Sequence, residues 1–449
     1  MLLPFGLGSM VGRFFKKQGW LSRDMLLSMH LPAISIGFGL GATVVVIPQL
    51  TQDLGEGMVA AMMVFILQQL GTAVAPLPTG YLIDRIGRRK MLLAGPILIA
   101  LSSLLIVRVI VQDGSFMEIL LYRFFGGIGE QMWMLSRLTV IADTSSAQQR
   151  GKQITSMFGV QQVGNLTGPV VGGIASVTIG LWLPFAIHAA IVILGVLPSF
   201  FIVKETMTKT APSGPRAGAV GGAPGGGERR GLSWADLRVP PVPQVFAAQF
   251  LANVTRGGIF GGGVIVVYAS YGFGLSELEI GGLRSAMSFV GIPVTFGAGY
   301  VMDRFGRKFT IVPGLLLSGL AMAFLALTDA LAVPVSVFVV GFIAVHFAVS
   351  LISGNMQTLG TDVAPAHARG SFFGVSRQIA QTGSLSSPVS FAFLVSAFSY
   401  TVAFSFLSFA AVAAAMVVFF GIPETLKKEP KPEAVPGPAP SGAGPSGSS

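Results

Sequence analysis

Along almost the whole chain, apolar stretches of about 20 residues alternate with short polar joints, and that spacing admits few folds. A helix of that length crosses the hydrocarbon of a bilayer and bonds all of its own backbone groups, which only a closed barrel achieves otherwise. The stretches fall at 27–50, 57–82, 91–112, 116–141, 153–176, 181–203, 243–270, 277–301, 310–328, 333–357, 370–396 and 398–421, so twelve transmembrane helices are predicted. Composition agrees: 52% of the 449 residues are hydrophobic and 11% are charged, too apolar a balance for a soluble domain. An all-α integral membrane protein follows, with the lipid bilayer as its solvent.

The net charge of +10 reads as topology rather than as a nucleic-acid footprint. Arg13, Lys16 and Lys17, then Arg85, Arg88, Arg89 and Lys90, then Arg150 and Lys152, Arg304, Arg307 and Lys308, Arg369, Lys427 and Lys428 occupy joints of one parity. The alternate joints hold Asp53, Glu56, Asp113, Glu118, Glu277, Glu279 and Asp329. The positive-inside rule then places both termini in the cytoplasm and predicts no nucleic-acid partner. Met1 to Asp24 lacks the apolar core and cleavage site of a secretory signal, so the first helix is expected to act as its own insertion signal. Cysteine is absent and His30, His188, His346 and His367 are scattered, so neither a metal site nor a cofactor is predicted. No G-x-x-x-x-G-K-[ST] loop occurs, which argues against direct use of ATP.

A repeat at one constant offset divides the chain. Gly80, Asp84, Arg85, Gly87 and Arg88 return 219 residues later as Gly299, Asp303, Arg304, Gly306 and Arg307. Asp143 and Arg150 return as Asp362 and Arg369, Gly164 and Pro169 as Gly383 and Pro388, and Glu205 as Glu424, in the same register. Between the copies, 207–235 is a Gly/Pro/Ala run with the composition of a flexible linker, and the last 20 or so residues have the composition of a disordered tail. The predicted organisation is a cytoplasmic segment 1–26, a six-helix bundle 27–203, a cytoplasmic linker 204–242, a second six-helix bundle 243–421 and a tail 422–449. Duplicated bundles of this kind hold a site between the halves and rock around it.

The stretch Gly80 to Arg89, G-x-L-x-D-R-x-G-R-R in full, resembles the signature of the major facilitator superfamily, as does Arg123 to Glu130 with its R-x-x-x-G-x-G pattern. The resemblance covers the chain apart from the linker and tails. It implies a major facilitator fold of two pseudo-symmetric six-helix bundles, working as a monomer in a bacterial inner membrane. It also implies a conformational latch made of Asp84, Arg85 and Arg88, mirrored by Asp303, Arg304 and Arg307. Asp143, Arg150, Asp362, Arg369, Glu205 and Glu424 resemble the family's cytoplasmic charge network. The fifth predicted helix carries Gly164, Gly168, Pro169, Gly172 and Gly173, which match the motif called the antiporter signature and associated with drug/proton exchangers. Physically, small residues at that spacing let helices approach closely and the proline adds a bend. The second half lacks the paired glycines, and the first helix lacks the acid found in several proton-coupled families.

Arg123, Glu130 and Arg137 are spaced i, i+7, i+14 and share one helical face, which should line the central cavity. A charge in hydrocarbon is expensive, about 2.5–3.5 kcal/mol on insertion scales, so charges at depth face protein or water. Glu130 is the acid at mid-membrane depth and, with Arg123, the candidate proton-coupling pair; the alternative is a structural ion pair with a cation from another helix such as Arg256. Arg256, Asn253, Gln131 and His346 are the candidate cavity residues, with hydrogen-bonded packing the alternative for His346. Arg284 and Arg377 fit either the cavity or a snorkelling position. The expected function is a secondary transporter working by alternating access, with proton-coupled export of a small organic or amphipathic solute ahead of uptake or exchange of an organic anion. No nucleophile–base pair or metal cluster points to an enzyme.

Overall fold

A computed structural model describes residues 22–144, 147–205, 237–261, 263–352, 356, 359–360, 363–364 and 369–424. Most of the expected linker and tail, and Asp362, lie outside the described residues, as do the side chains of Arg150, Asp303 and Arg369.

The described chain is helical. In the first half α1 (Arg23–Val44) continues past a turn into α2 (Ile47–Asp53), followed by α3 (Met58–Val74), α4 (Pro76–Ile86), α5 (Arg88–Val111), α6 (Phe116–Thr144), α7 (Ala147–Thr178) and α8 (Leu183–Ile202). The second half holds α9 (Val242–Phe260), α10 (Val264–Phe273), α11 (Glu277–Phe305), α12 (Arg307–Ala330), α13 (Val335–Ile352), α14 (Arg369–Ala397) and α15 (Tyr400–Gly421). Among the described residues seven helices are long and apolar enough to cross a membrane, or up to nine if two bent pairs each count as one span. The helices that carry most of the polar motif residues, α6, α7 and α14, lie outside that set.

Both bent pairs turn by 45°. Pro76 and Pro78 follow the α3–α4 break, where their missing N–H groups and fixed φ interrupt the helix. The α9–α10 break is made of glycine, and Gly263 takes φ +66°, a conformation other residues rarely adopt. Ser276 starts α11 with a capping box: its backbone N–H donates to Glu279 at 2.9 Å, and its hydroxyl accepts from the Glu279 N–H at 3.4 Å.

In lipid the hydrophobic effect does not drive helix against helix, so close packing and hydrogen bonds must hold the bundle. The α7 glycines supply that packing. A Cβ on Gly164 or Gly168 would strike the backbone of α1 at Ile34 or Phe38, one on Gly172 the backbone at Ala42, and one on Gly173 the Glu277 carbonyl of α11 at 2.6 Å. Gly281 of α11 in turn lies against the Pro169 carbonyl, and Ser288 approaches the Asn165 carbonyl at 3.5 Å. One seam between the halves, α7 with α11, is thus closely packed from its start to mid-depth. The opposite seam, α3 with α14, is looser, with Gln378 donating to the Ala73 carbonyl at 3.4 Å.

The turns α4–α5 and α11–α12 mark one end of the bundle, the latch end. At the far end, a single apolar core joins Val44, Ile47, Leu50 and Phe65 of the first half to Val264–Ala269, Phe338 and Phe404 of the second. Toward the latch end each half has cores of its own, around Met29, Leu92, Trp133 and Val203, and around Val245, Leu315, Ile352 and Val418. Among the described residues the apolar core is therefore shared by the two halves at the far end and divided between them toward the latch end.

Hydrogen bonds fasten the far end. Thr51 and Tyr271 hydroxyls pair at 3.0 Å, and Gln52 donates to Ser270 at 3.1 Å. By the 219-residue offset Thr51 corresponds to Ser270 and Gln52 to Tyr271, so each bond is the image of the other under the exchange of halves.

Candidate functional site

At the latch end several contacts of the first half recur in the second. Gly87 (φ +110°) and Gly306 (φ +121°) turn the chain into α5 and α12, exposing the first N–H groups of each helix. Glu205 accepts the N–H of Arg88 at 3.0 Å and of Arg89 at 3.2 Å, and Glu424 accepts those of Arg307 at 2.9 Å and Lys308 at 3.1 Å. Each carboxylate thereby faces a helix N-terminus, the favoured end for an anion. Arg89 donates to the Phe200 carbonyl and Lys308 to that of Phe419, both at 2.7 Å. Arg88 forms an ion pair with Asp143 across α5 and α6.

Arg85 and Arg304 turn back to the hydroxyls of Tyr81 (2.6 Å) and Tyr300 (2.9 Å) on their own helices. Asp84 is exposed and makes no hydrogen bond among the described residues.

Inside the bundle, α6 carries Arg123, Glu130 and Arg137. Gly127 and Gly129 set the helix close to its neighbours, against the Gln68 carbonyl of α3 and the Gly95 carbonyl of α5. That closeness puts Gln68 between the charges. Arg123, 5% exposed, donates to the Gln68 side-chain oxygen, while the Gln68 amide nitrogen donates to Glu130 at 3.4 Å. Arg123 and Glu130 are so joined through a neutral amide, not directly. Gln68 was absent from the residues singled out in the sequence, because an uncharged Gln in an apolar helix carries no pattern of its own.

Arg137 is fully buried, with its guanidinium 3.8 Å above the Trp133 ring and donating to Gln161 at 3.0 Å. Among the described residues its Nε and Nη1 find no hydrogen bond. Arg377 of α14 lies within electrostatic reach of it from the other half. Gln131, next to Glu130, is 4% exposed with its amide nitrogen unbonded.

In the second half Asn253 and Arg256 of α9 border a cavity of about 20 Å³, completed by Leu315 and Ser318 of α12, Val349 and Ile352 of α13, and Met356. That is room for about one water. Asn253 donates to the Gln249 carbonyl at 2.8 Å and accepts from Ser384 at 3.4 Å. His346 is buried, stacked on Phe342 and within electrostatic reach of Arg284. The structure thus gathers Arg123 and Glu130 in one cluster and places Asn253 with Arg256 in another. Among the described residues no group of three or more His, Asp or Glu could hold a metal.

The chain is 27% identical over 174 residues to multidrug resistance protein 2 of Bacillus subtilis, covering 38% of this chain and 41% of that one. It is 28% identical over 178 residues to multidrug resistance protein MdtL of Citrobacter koseri, covering 40% and 45%. The matches therefore span less than half the length of these relatives. Among solved structures, a bacterial homologue of the iron transporter ferroportin in an inward-facing state superposes with a TM-score of 0.69 at 16% identity, over 88% of this chain and 98% of that one. A D-xylose–proton symporter gives 0.66 at 18% identity, over 90% and 98%. The human organic anion transporter MFSD10 gives 0.62 at 16% identity, over 89% and 100%. These likenesses agree with the helical fold described above. The model of the Major Facilitator Superfamily matches residues 31–384 and 245–444, and the chain belongs to that family of membrane transporters.

Proposed function

We propose that this transporter exports small organic or amphipathic compounds in exchange for protons, by alternating access between bundles 27–203 and 243–421. The carrying observation is the Arg123–Gln68–Glu130 cluster: an acid within the bundle whose hydrogen-bond partner among the described residues is a neutral amide. An acid so held can take up and give up a proton without breaking an ion pair. The names of the relatives, multidrug resistance proteins, support export. In this reading the protein works as a monomer in a bacterial inner membrane, with both termini and the latch end cytoplasmic, so that the present state faces inward.

A second reading has its own observation. Arg123, Arg137, Arg256, Arg284 and Arg377 all lie on helices of the bundle, against Glu130 as the acid of the α6 face. That excess suits a solute bearing a negative group, and would make the protein an organic-anion importer or exchanger.

Purified protein in proteoliposomes with an internal pH-sensitive dye, offered cationic, neutral and anionic solutes, separates the two. Proton movement triggered by cationic or neutral compounds and lost in Glu130→Gln is the expected result, with solute counterflow persisting in the variant. Proton-driven transport unchanged in Glu130→Gln would remove Glu130 from the mechanism. Anion exchange without proton movement would favour the second reading.

A further inference from the structure

Gln68 faces two ways. Its oxygen accepts from Arg123 and its nitrogen donates to Glu130, so the one amide answers a cation with its acceptor and an acid with its donor. Being neutral and non-titrating, it holds both without settling the proton. When Glu130 takes a proton, the bond from Gln68 changes from charge-assisted to neutral and weakens by roughly half. Arg123 at the same moment loses the nearby negative charge that offsets its own.

The helix that carries Gln68 leans on the other half. Phe65 lies under Gly263, Gln69 under Gly261, and the Ala73 carbonyl accepts from Gln378 of α14. Residues 65, 69 and 73 are spaced i, i+4, i+8 and form one stripe, adjacent to Gln68 on the helix surface. The first two rest on the glycine break between α9 and α10, where the second half bends by 45°. A movement of α3 that begins at Gln68 therefore reaches the bend of the second half directly.

We infer that Gln68 is the positioning residue through which the protonation of Glu130 is passed to the second half, with α3 as the element that moves. The inference rests on Glu130 being the proton-carrying group. The other charged groups around Glu130 are Arg123 and Arg137 on its own helix; His188 of α8 lies near Arg123, and Arg377 of α14 near Arg137. None of these other groups is joined to Glu130 and to the second half at once by described hydrogen bonds.

The test compares Gln68→Leu with Glu130→Gln in proteoliposomes, reading proton-driven accumulation against solute exchange without a gradient. Gln68→Leu should lower accumulation about tenfold more than it lowers exchange, the scale of one hydrogen bond to a charged group. A merely structural role would lower both together. Loss of coupling in Glu130→Gln with a wild-type pH profile in Gln68→Leu would overturn the inference alone. Full coupling in Glu130→Gln would overturn both readings.

A second measurement needs no transport. In a chain without cysteine, Thr382→Cys gives one thiol on α14 one turn from the Gln378–Ala73 contact, which it leaves intact, and its alkylation rate can be followed against pH. Rates are normalised to the same thiol in the Glu130→Gln background, which cancels the titration of the thiol itself. The normalised rate should vary with pH when Gln68 is present and become flat with Gln68→Leu. The same pH dependence in both would overturn the inference.

Discussion

At the scale of single residues, the most regular feature is the pair of carboxylates that close the latch-end turns. Glu205 and Glu424 each take two backbone N–H groups, and replacing either by Gln should lower stability by about 1 kcal/mol, the usual worth of a helix cap. Thermal unfolding in detergent would show it as a lowered midpoint. The two losses should add, because the sites lie in different halves and share no partner. Gly87→Ala and Gly306→Ala should cost more, about 1–3 kcal/mol each, since the new Cβ meets both an unfavourable φ and the carboxylate behind it. The offset in the sequence marks these residues but not their bonds. Glu205 reads as a member of a charge network. A backbone N–H leaves no mark in a sequence, so its choice as partner becomes visible only in the turn itself. Gln68 escapes notice for the same reason: its role comes from the neighbours that Gly127 and Gly129 allow to come close.

At the scale of helices, the glycines of α7 serve two partners. Gly164, Gly168 and Gly172 fit α1 within the first half, while Gly173 fits α11 across the seam. Replacing Gly173 by Val should therefore leave the first half folded and disfavour closure of the far end, by about 1–3 kcal/mol of overpacking. A shift toward far-end opening, read from labelling of thiols introduced near Thr51, would show it; unchanged labelling would mean that the seam gives way elsewhere. The spacing of these glycines was legible as a packing motif. Their division between two partner helices was not, because it depends on which face of α7 meets which half. The apolar pattern likewise located the long described helices, yet it read 27–50, 57–82 and 243–270 as continuous where the structure turns after Val44 and bends at Ala75 and before Val264. Hydropathy averages over a span and does not register a break a few residues long.

At the scale of the whole molecule, the present state is held by the far-end core and by two symmetry-related hydrogen bonds. Thr51→Val alone leaves the Tyr271 hydroxyl its bond to the Glu56 carbonyl and should remove one of the pair, worth about 1 kcal/mol, shifting the balance of states about fivefold toward far-end opening. Gln52→Cys with Ser270→Cys, joined by a short cleavable bifunctional thiol reagent, should arrest transport until the link is cut, while either single variant should remain active after the same treatment. The natural absence of cysteine makes such thiols unambiguous.

The unequal seams have a mechanical consequence. Backbone packed closely against backbone from the start of the α7–α11 seam to mid-depth resists sliding more than the looser α3–α14 contact, so that edge behaves like the spine of a book and the α3–α14 edge like its fore-edge. A cover turned about its spine travels farthest at the fore-edge. Spin labels paired across α3 and α14 should accordingly report larger distance changes between states than labels paired across α7 and α11. Gln68 and the stripe it borders ride the long arm of that lever, where a small shift at the acid is delivered as a large one at the opening.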